Sequence, residues 1–405
     1  MAAFQAAAVS NKMDVYCPGM GRGICFLFPP LNDPTGDETN MLKKTVAALL
    51  VLSLLLSVAL AEGRRIALET RVTKWGQMPE RFVITGQALP EGVTAADFTV
   101  TGQAAAWEDQ SLHPFTCDVE AVEAVEGGWA LFPARFPEKF FYVKRLEIAC
   151  ADHPELGFTL DDIGEITTET ADAFGWAEEH ESRFLARVFI PESEDPLPVV
   201  LVFHGYGDPE NLLSYRTAVA WAEPDQQAVR PCAVVAPVIN TIFYGSEIAR
   251  SRIYAGIMGY IDSLIESGVA DPDRLYVMGN SFGGMASFEI AEQFPDRFAA
   301  ILALCPALNY SATGTARLSG LTDIPVTIAQ AEGDETIPSE VGKQAAEALI
   351  AAGNANVTLR LYTDAEMNAA GAVKGREQVY SFHHVELAVM EDEAYAEWLF
   401  GQKRG

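Results

Sequence analysis

Positive charge is scarce in this 405-residue chain: 28 Lys and Arg stand against 56 Asp and Glu, a net −28 at pH 7. That balance argues against nucleic acid and anionic membranes as partners, because like charges would repel. Cysteine is sparse as well, at six residues. No C-x-x-C pair and no His/Cys cluster with metal spacing occurs, so neither a zinc site nor any other metal or cofactor is expected. Histidine is equally rare, at six, which makes each one worth placing individually.

An apolar run does occur, from Thr45 to Val58, behind Lys43 and Lys44 and ahead of Ala59-Leu60-Ala61. It is short for a membrane span and ends in a small-x-small cleavage pattern, so Met41–Ala61 reads as a signal peptide with Glu62 as the new N-terminus. No cysteine stands directly after the cleavage point to carry a lipid, so no stable membrane anchor is expected after cleavage. Residues 1–40 lack a sustained period and read as a miscalled upstream segment, with a signal-anchor as the alternative. Removing Met1–Ala61 takes away four basic and four acidic residues, so the net charge stays −28. The expectation is a secreted or periplasmic protein. Of the four cysteines left, Cys117 and Cys150 share the N-terminal region and are the expected disulfide pair, while Cys232 and Cys305 sit in apolar runs and read as buried thiols.

Residues 62–166 read as short strands: "RFVITGQAL", "DFTVTGQA", "TCDVEAVEAV", "GWALFP" and "FFYVKRLEIAC". Gly127-Gly128 signals a hairpin. The expected fold is a small all-β sandwich. Trp75, Trp107 and Trp129 in this region are either sandwich core or a sugar-stacking platform. Residues 167–405 alternate apolar strands with helical stretches. "PVVLVFHGYG", "CAVVAPVI", "RLYVMGNS", "FAAILALCPAL", "PVTIAQAEGD" and "VTLRLYTDA" are the strands; "RIYAGIMGYIDSLIESG", "GGMASFEIAEQF", "SEVGKQAAEALIAAG" and "VELAVMEDEAYAEWLFGQ" are the helices. This pattern predicts an α/β fold, a mostly parallel sheet with helices on both faces, whose sites form at the carboxyl ends of the strands.

Ser281 sits at such an end, in Gly279-Asn280-Ser281-Phe282-Gly283, with Gly284 next. A serine on a tight strand-to-helix turn is the nucleophile-elbow arrangement, and the Phe282 amide would face a developing oxyanion. A serine hydroxyl needs a base. His113, His153 and His180 fall in or near the β-rich region. His204, in "HGYG" with Gly205, marks a strand-end loop whose second oxyanion amide would come from Tyr206. That leaves His383 or His384, in "YSFHHVEL", as the base. Asp334, after the "PVTIAQA" strand, is the expected acid, with Glu332, Glu335 and Asp364 as competitors.

These stretches resemble the secreted α/β-hydrolase esterases, the group of polyhydroxybutyrate depolymerase-like and feruloyl or acetyl-xylan esterase-like enzymes. The resemblance runs from about Phe184 to Lys403 and is carried by "DPDRLYVMGNSFGGMASFEIAEQFPDRFAA", "GDETIP" and "AEWLFGQKR". It implies Ser281 as nucleophile, Asp334 as acid and, by the family's spacing back from Trp398, His383 as base. The β-rich part is similar to the immunoglobulin-like domain that precedes the hydrolase in some secreted esterases. The stretch from Glu366 to Phe382 is long, and "HHVEL" lacks a tryptophan often found just after the histidine. The activity implied is ester hydrolysis through an acyl-enzyme, on short-chain or carbohydrate-linked acetyl or feruloyl esters. A prolyl-oligopeptidase-like peptidase and a non-catalytic glycan- or partner-binding protein are the alternatives.

Overall fold

The computed structural model describes residues 63–405, except 107–109, 180–183, 208, 240–245, 312–313, 317 and 377. The upstream segment, the signal sequence, Trp107 and His180 lie outside the described residues. Nine strands come first: β1 (Arg65–Thr73), β2 (Gly76–Thr85), β3 (Phe98–Ala105), β4 (Leu112–Cys117), β5 (Val119–Val125), β6 (Gly128–Pro133), β7 (Val143–Cys150), β8 (Phe158–Thr159) and β9 (Ile163–Thr168). They form two sheets, ordered β5-β6-β2-β1-β9 and β4-β3-β7-β8. Period-2 alternation decides what faces inward: Ile66, Leu68, Thr70 and Val72 of β1 are buried between more exposed neighbours. Phe82, Ile84, Val100, Trp129, Leu131 and Ile148 join them in the core. The expected sandwich is therefore present, and Trp129 belongs to its core rather than to a platform. The hairpin signal also holds: Glu126 and Gly127 link β5 to β6, with Gly127 at φ 76°.

The expected Cys117–Cys150 disulfide does not form; Cys117, Cys150, Cys232 and Cys305 are all free thiols. Cys117 pairs opposite Val100 and Cys150 opposite Phe98, on the two sides of β3. Two strand spacings separate the cysteine backbones by about 9–10 Å, beyond the ~7 Å reach of a disulfide. Instead the Cys117 thiol donates to the Ala134 carbonyl at 3.0 Å.

After β9 the chain enters a third sheet: β10 (Gly175–Glu179), β11 (Phe184–Phe189), β12 (Leu197–Phe203), β13 (Ala233–Pro237), β14 (Ala270–Asn280), β15 (Ala300–Leu304), β16 (Val326–Ala331) and β17 (Val357–Tyr362). Its order is β10-β11-β13-β12-β14-β15-β16-β17. From β13 to β17 the pairings are parallel, whereas β10 and β11 form an antiparallel edge that the sequence pattern did not reveal. The described helices are α1 (Arg216–Val219), α2 (Pro224–Val229), α3 (Glu247–Glu266), α4 (Phe282–Gln293), α5 (Ser339–Ala351), α6 (Asp364–Ala370), α7 (Glu386–Val389) and α8 (Glu393–Phe400). The last predicted helix is thus two helices, because Asp392 caps the second: its carboxylate accepts from the Ala394 amide at 3.0 Å. No helix among the described residues is long and apolar enough to cross a membrane.

The sheet separates two apolar cores. Val199, Leu201 and Phe203 of β12 face α3, α4 and α5 through Ile257, Phe288 and Leu349. Val200 and Val202 face the opposite way, toward Trp221, Met367, Leu387 and Leu399, and that core runs without interruption into the sandwich. The β-rich part is consequently packed onto the hydrolase part through a shared apolar core, and residues 63–405 form one compact unit.

Candidate active site

Parallel strands β14, β15 and β16 end side by side; Ser281 and Cys305 directly follow the first two, and Asp334 lies three residues beyond the third. Ser281 follows β14 at φ 57° and ψ −118°, a conformation L-residues rarely adopt. Three backbone hydrogen bonds hold it there. Its amide donates to Leu304 O at 2.8 Å, and its carbonyl accepts from Met285 at 3.1 Å and Ala307 at 3.0 Å. The turn is too tight for side chains around it. A Cβ on Gly279 would lie 2.5 Å from the Gly283 backbone, one on Gly283 2.1 Å from Phe203 O, and one on Gly284 2.9 Å from Leu304 O. Phe282 then opens α4, placing its amide at the positive end of the helix dipole.

Asp334 follows β16. One carboxylate oxygen accepts from the Thr336 and Ile337 amides at 2.8 and 2.9 Å, and the other meets His383 Nδ1 at 2.8 Å. A carboxylate only accepts, so Nδ1 carries a proton, and in the neutral ring Nε2 keeps its lone pair. Burial opposes the charged ring of His383, yet the Cys305 sulfur and the Asp334 carboxylate hold its pKa well above the ordinary value. The competitors for the acid have other surroundings: Glu332 and Glu335 are exposed, and Asp364, packed against Gly333, pairs with Lys374 at 2.9 Å. His384 faces away from this pair. Its Nδ1 is 3.3 Å from Ser381 Oγ and its Nε2 is 3.4 Å from Lys139 Nζ. Burial first, then the Lys139 charge, pushes its pKa well below the ordinary value.

His204 has a structural position. The Ile239 amide donates to its Nε2 at 3.0 Å, so Nδ1 carries the proton and donates to Gly205 O at 2.7 Å. This fixes the plane of the peptide whose N–H belongs to Tyr206. A Cβ on Gly205 would stand 3.2 Å from the Asn280 side chain, so this loop lies against the Ser281 turn. The rings of Tyr206, Phe282 and Tyr310 make a continuous row, with centroids 5.9 and 5.4 Å apart, and Tyr206 and Tyr310 are largely exposed. His113 and His153 sit apart, on Glu138 and Glu155.

Sequence reasoning missed Cys305, the residue after β15. It has φ 37°, and its thiol reaches the His383 carbonyl at 3.4 Å. Its place between the strands that lead to Ser281 and Asp334 becomes visible only once the sheet order is known. Donor atoms of Cys305, Asp334 and His383 lie within 4.8 Å of one another. His383 and Asp334 are already committed to each other, and burial pushes the thiol pKa up, so a cation there would have to break that hydrogen bond. The cavity of about 520 Å³ beside Trp75, Arg216, Glu223 and Glu391 is not lined by Ser281 or His383, and ion pairs from Arg216 to both glutamates occupy its wall.

The fold is that of an α/β-hydrolase, with an all-β sandwich region ahead of it. The Prolyl oligopeptidase family (Peptidase_S9) matches residues 250–323, which span α3, β14, the Ser281 turn, α4 and β15. The acylamino-acid-releasing enzyme of Arabidopsis thaliana is 39% identical over a 124-residue alignment that covers 24% of this chain and 15% of that enzyme. The chain therefore matches less than one fifth of that relative's length. Among solved structures, a thermostable esterase superposes with a TM-score of 0.63 at 21% identity, covering 84% of this chain and all of that one. That coverage is more than residues 167–405 alone can supply, so the likeness extends into the sandwich. An esterase of Pyrobaculum calidifontis aligns at 16% identity and TM-score 0.42, over 57% of this chain and 88% of that one.

Proposed function

We propose that the protein is a serine carboxylic-ester hydrolase that works through an acyl-enzyme. The observation that carries the reading is the 2.8 Å His383–Asp334 hydrogen bond at the end of β16, in the same sheet whose β14 ends in a serine held at positive φ on a strand-to-helix turn. In this reading Ser281 Oγ attacks the ester carbonyl while His383 Nε2 takes its proton, and Asp334 orients and stabilises the imidazolium. The Phe282 and Tyr206 amides receive the oxyanion. Collapse of the tetrahedral adduct expels the alcohol, which takes the proton from Nε2. Water, deprotonated by the same nitrogen, then attacks the acyl-serine and releases the acid. The substrates we propose are short-chain or carbohydrate-linked acetyl or feruloyl esters. Export through Met41–Ala61 is part of the proposal and is checked by N-terminal sequencing of secreted protein, with Glu62 expected first.

A second reading is favoured by the Prolyl oligopeptidase family match and by the acylamino-acid-releasing relative: a serine peptidase acting on acylated or short peptides with the same three side chains. Turnover of p-nitrophenyl acetate and butyrate, measured beside an N-acetyl-aminoacyl p-nitroanilide, separates the two. The ester reading expects ester turnover to dominate and Ser281→Ala to abolish it. Dominant anilide cleavage would replace it with the peptidase reading. No turnover of either, or turnover that survives Ser281→Ala, would leave the binding-protein alternative.

A further inference from the structure

Lys139, next to the short turn Phe140–Tyr142 of the sandwich region, is buried and only 5% exposed. A buried ammonium is costly unless something balances it. Its balance is incomplete. Nζ lies 5.1 Å over the Tyr215 ring and 5.4 Å over the Tyr380 ring, and its hydrogen-bond acceptor is His384 Nε2 at 3.4 Å. Glu386 supplies negative charge through space, but its own Oε2 is buried without a hydrogen-bond partner. Burial accordingly pushes the Lys139 pKa down to about 8, with Glu386 opposing, and pushes that of Glu386 up. A methionine would fill the same volume without this cost.

We infer that Lys139 is a positioning residue for His383: the sandwich region inserts its ammonium behind the histidine loop, locks His384, and so fixes the neighbouring residue that meets Asp334. This rests on His383 being the base of the proposed esterase. An ammonium only donates, so His384 Nε2 must accept, and Nδ1 must carry the proton that goes to Ser381 Oγ. Both nitrogens of His384 are then committed, and its amide closes the turn onto Ser381 O at 3.0 Å. His383 lies inside that turn, with the Cys305 thiol on its carbonyl from the other side. A second tether from the same region supports the loop: Tyr380 OH donates to Trp75 O at 2.7 Å, and the two rings meet edge to face.

The test compares wild type with Lys139→Met, His384→Phe and the double variant, using p-nitrophenyl butyrate turnover and thermal unfolding of the full chain. The inference expects Lys139→Met to keep or raise the melting temperature, to lower kcat at least tenfold, and to change KM less than twofold. It expects the double variant to be no slower than His384→Phe alone, because the lysine acts through that ring. Unchanged kcat in a folded Lys139→Met would overturn it. So would a kcat loss that tracks a fall in melting temperature, or additive losses in the double variant. If Lys139→Met does not fold, His384→Phe decides: wild-type kcat there overturns the inference, and a kcat loss at constant KM supports it. Turnover surviving in Ser281→Ala would sink the esterase reading, whereas a dead Ser281→Ala beside a wild-type Lys139→Met would sink only this one.

Discussion

The backbone strain at Ser281 yields a stability prediction that does not depend on the substrate. At φ 57° and ψ −118° the serine Cβ crowds its own backbone, a cost of about 1–3 kcal/mol for a non-glycine residue. The three backbone bonds to Leu304, Met285 and Ala307 leave the residue no route to relax. Ser281→Ala keeps the Cβ and hence the strain. Ser281→Gly removes it but frees the unfolded chain, which returns about 0.5–1 kcal/mol. The glycine variant should therefore be more stable than the alanine variant by about 1 kcal/mol. Over the unit Gly63–Gly405, an unfolding entropy of about 2 cal/mol/K per residue makes that a rise of roughly 1–2 °C in Tm. Calorimetry on the pair, repeated by urea unfolding, is the measurement. Both variants lack the hydroxyl, so neither should turn over ester. A glycine variant equal to or less stable than the alanine variant would refute the claim that position 281 stores strain.

His383→Ala should remove essentially all ester turnover while His384→Ala only weakens it, and equal losses in steady-state kcat would break that assignment. Asp334→Asn should lower kcat by about three to four orders of magnitude with KM little changed, because the wrong ring nitrogen is then favoured for the proton; a loss under tenfold would contradict it. The raised pKa of His383 means that its neutral, active form appears only as pH climbs past the ordinary imidazole range near 6.5. The acid limb of kcat/KM should therefore have its midpoint above that value and move down in Asp334→Asn, and a wild-type midpoint below it would contradict the assignment. The same raised pKa stabilises the fold below the ordinary value and loses that contribution as pH rises through the folded one. Gly283→Ala would place a Cβ 2.1 Å from Phe203 O; soluble yield and urea unfolding should show a loss of several kcal/mol or no folded protein, and a native-like midpoint would show that the turn can widen.

Legibility in the sequence followed the range of the forces involved. Strands such as β12 and β15 are uniform apolar runs, and the Ser281 turn is written in three nearby glycines, so local reading found them. Asp334, the proposed acid, was reachable because a parallel sheet gathers its sites at strand ends. Between His383 and His384 the immediate neighbours are shared, so only the family spacing back from Trp398 favoured His383. What separates the two rings in the structure is partners at long range: Asp334 lies 49 positions away from His383, and Lys139 lies 245 positions away from His384. The same distance blindness produced the mistaken disulfide, since Cys117 and Cys150 look close along the chain but flank β3 in space. It also hid the junction between the two parts of the protein, for Val200 and Val202 read as ordinary strand residues although their core continues into the sandwich. That shared core gives the Lys139 contact its physical basis. A side chain from a loosely tethered domain could not hold an ammonium against an imidazole at a defined distance, because the entropy of fixing the two bodies would have to be repaid by a contact of about 1 kcal/mol. With the bodies already fused by apolar packing, that entropy is spent in folding, and a weak bond from Lys139 suffices to choose the orientation of His384.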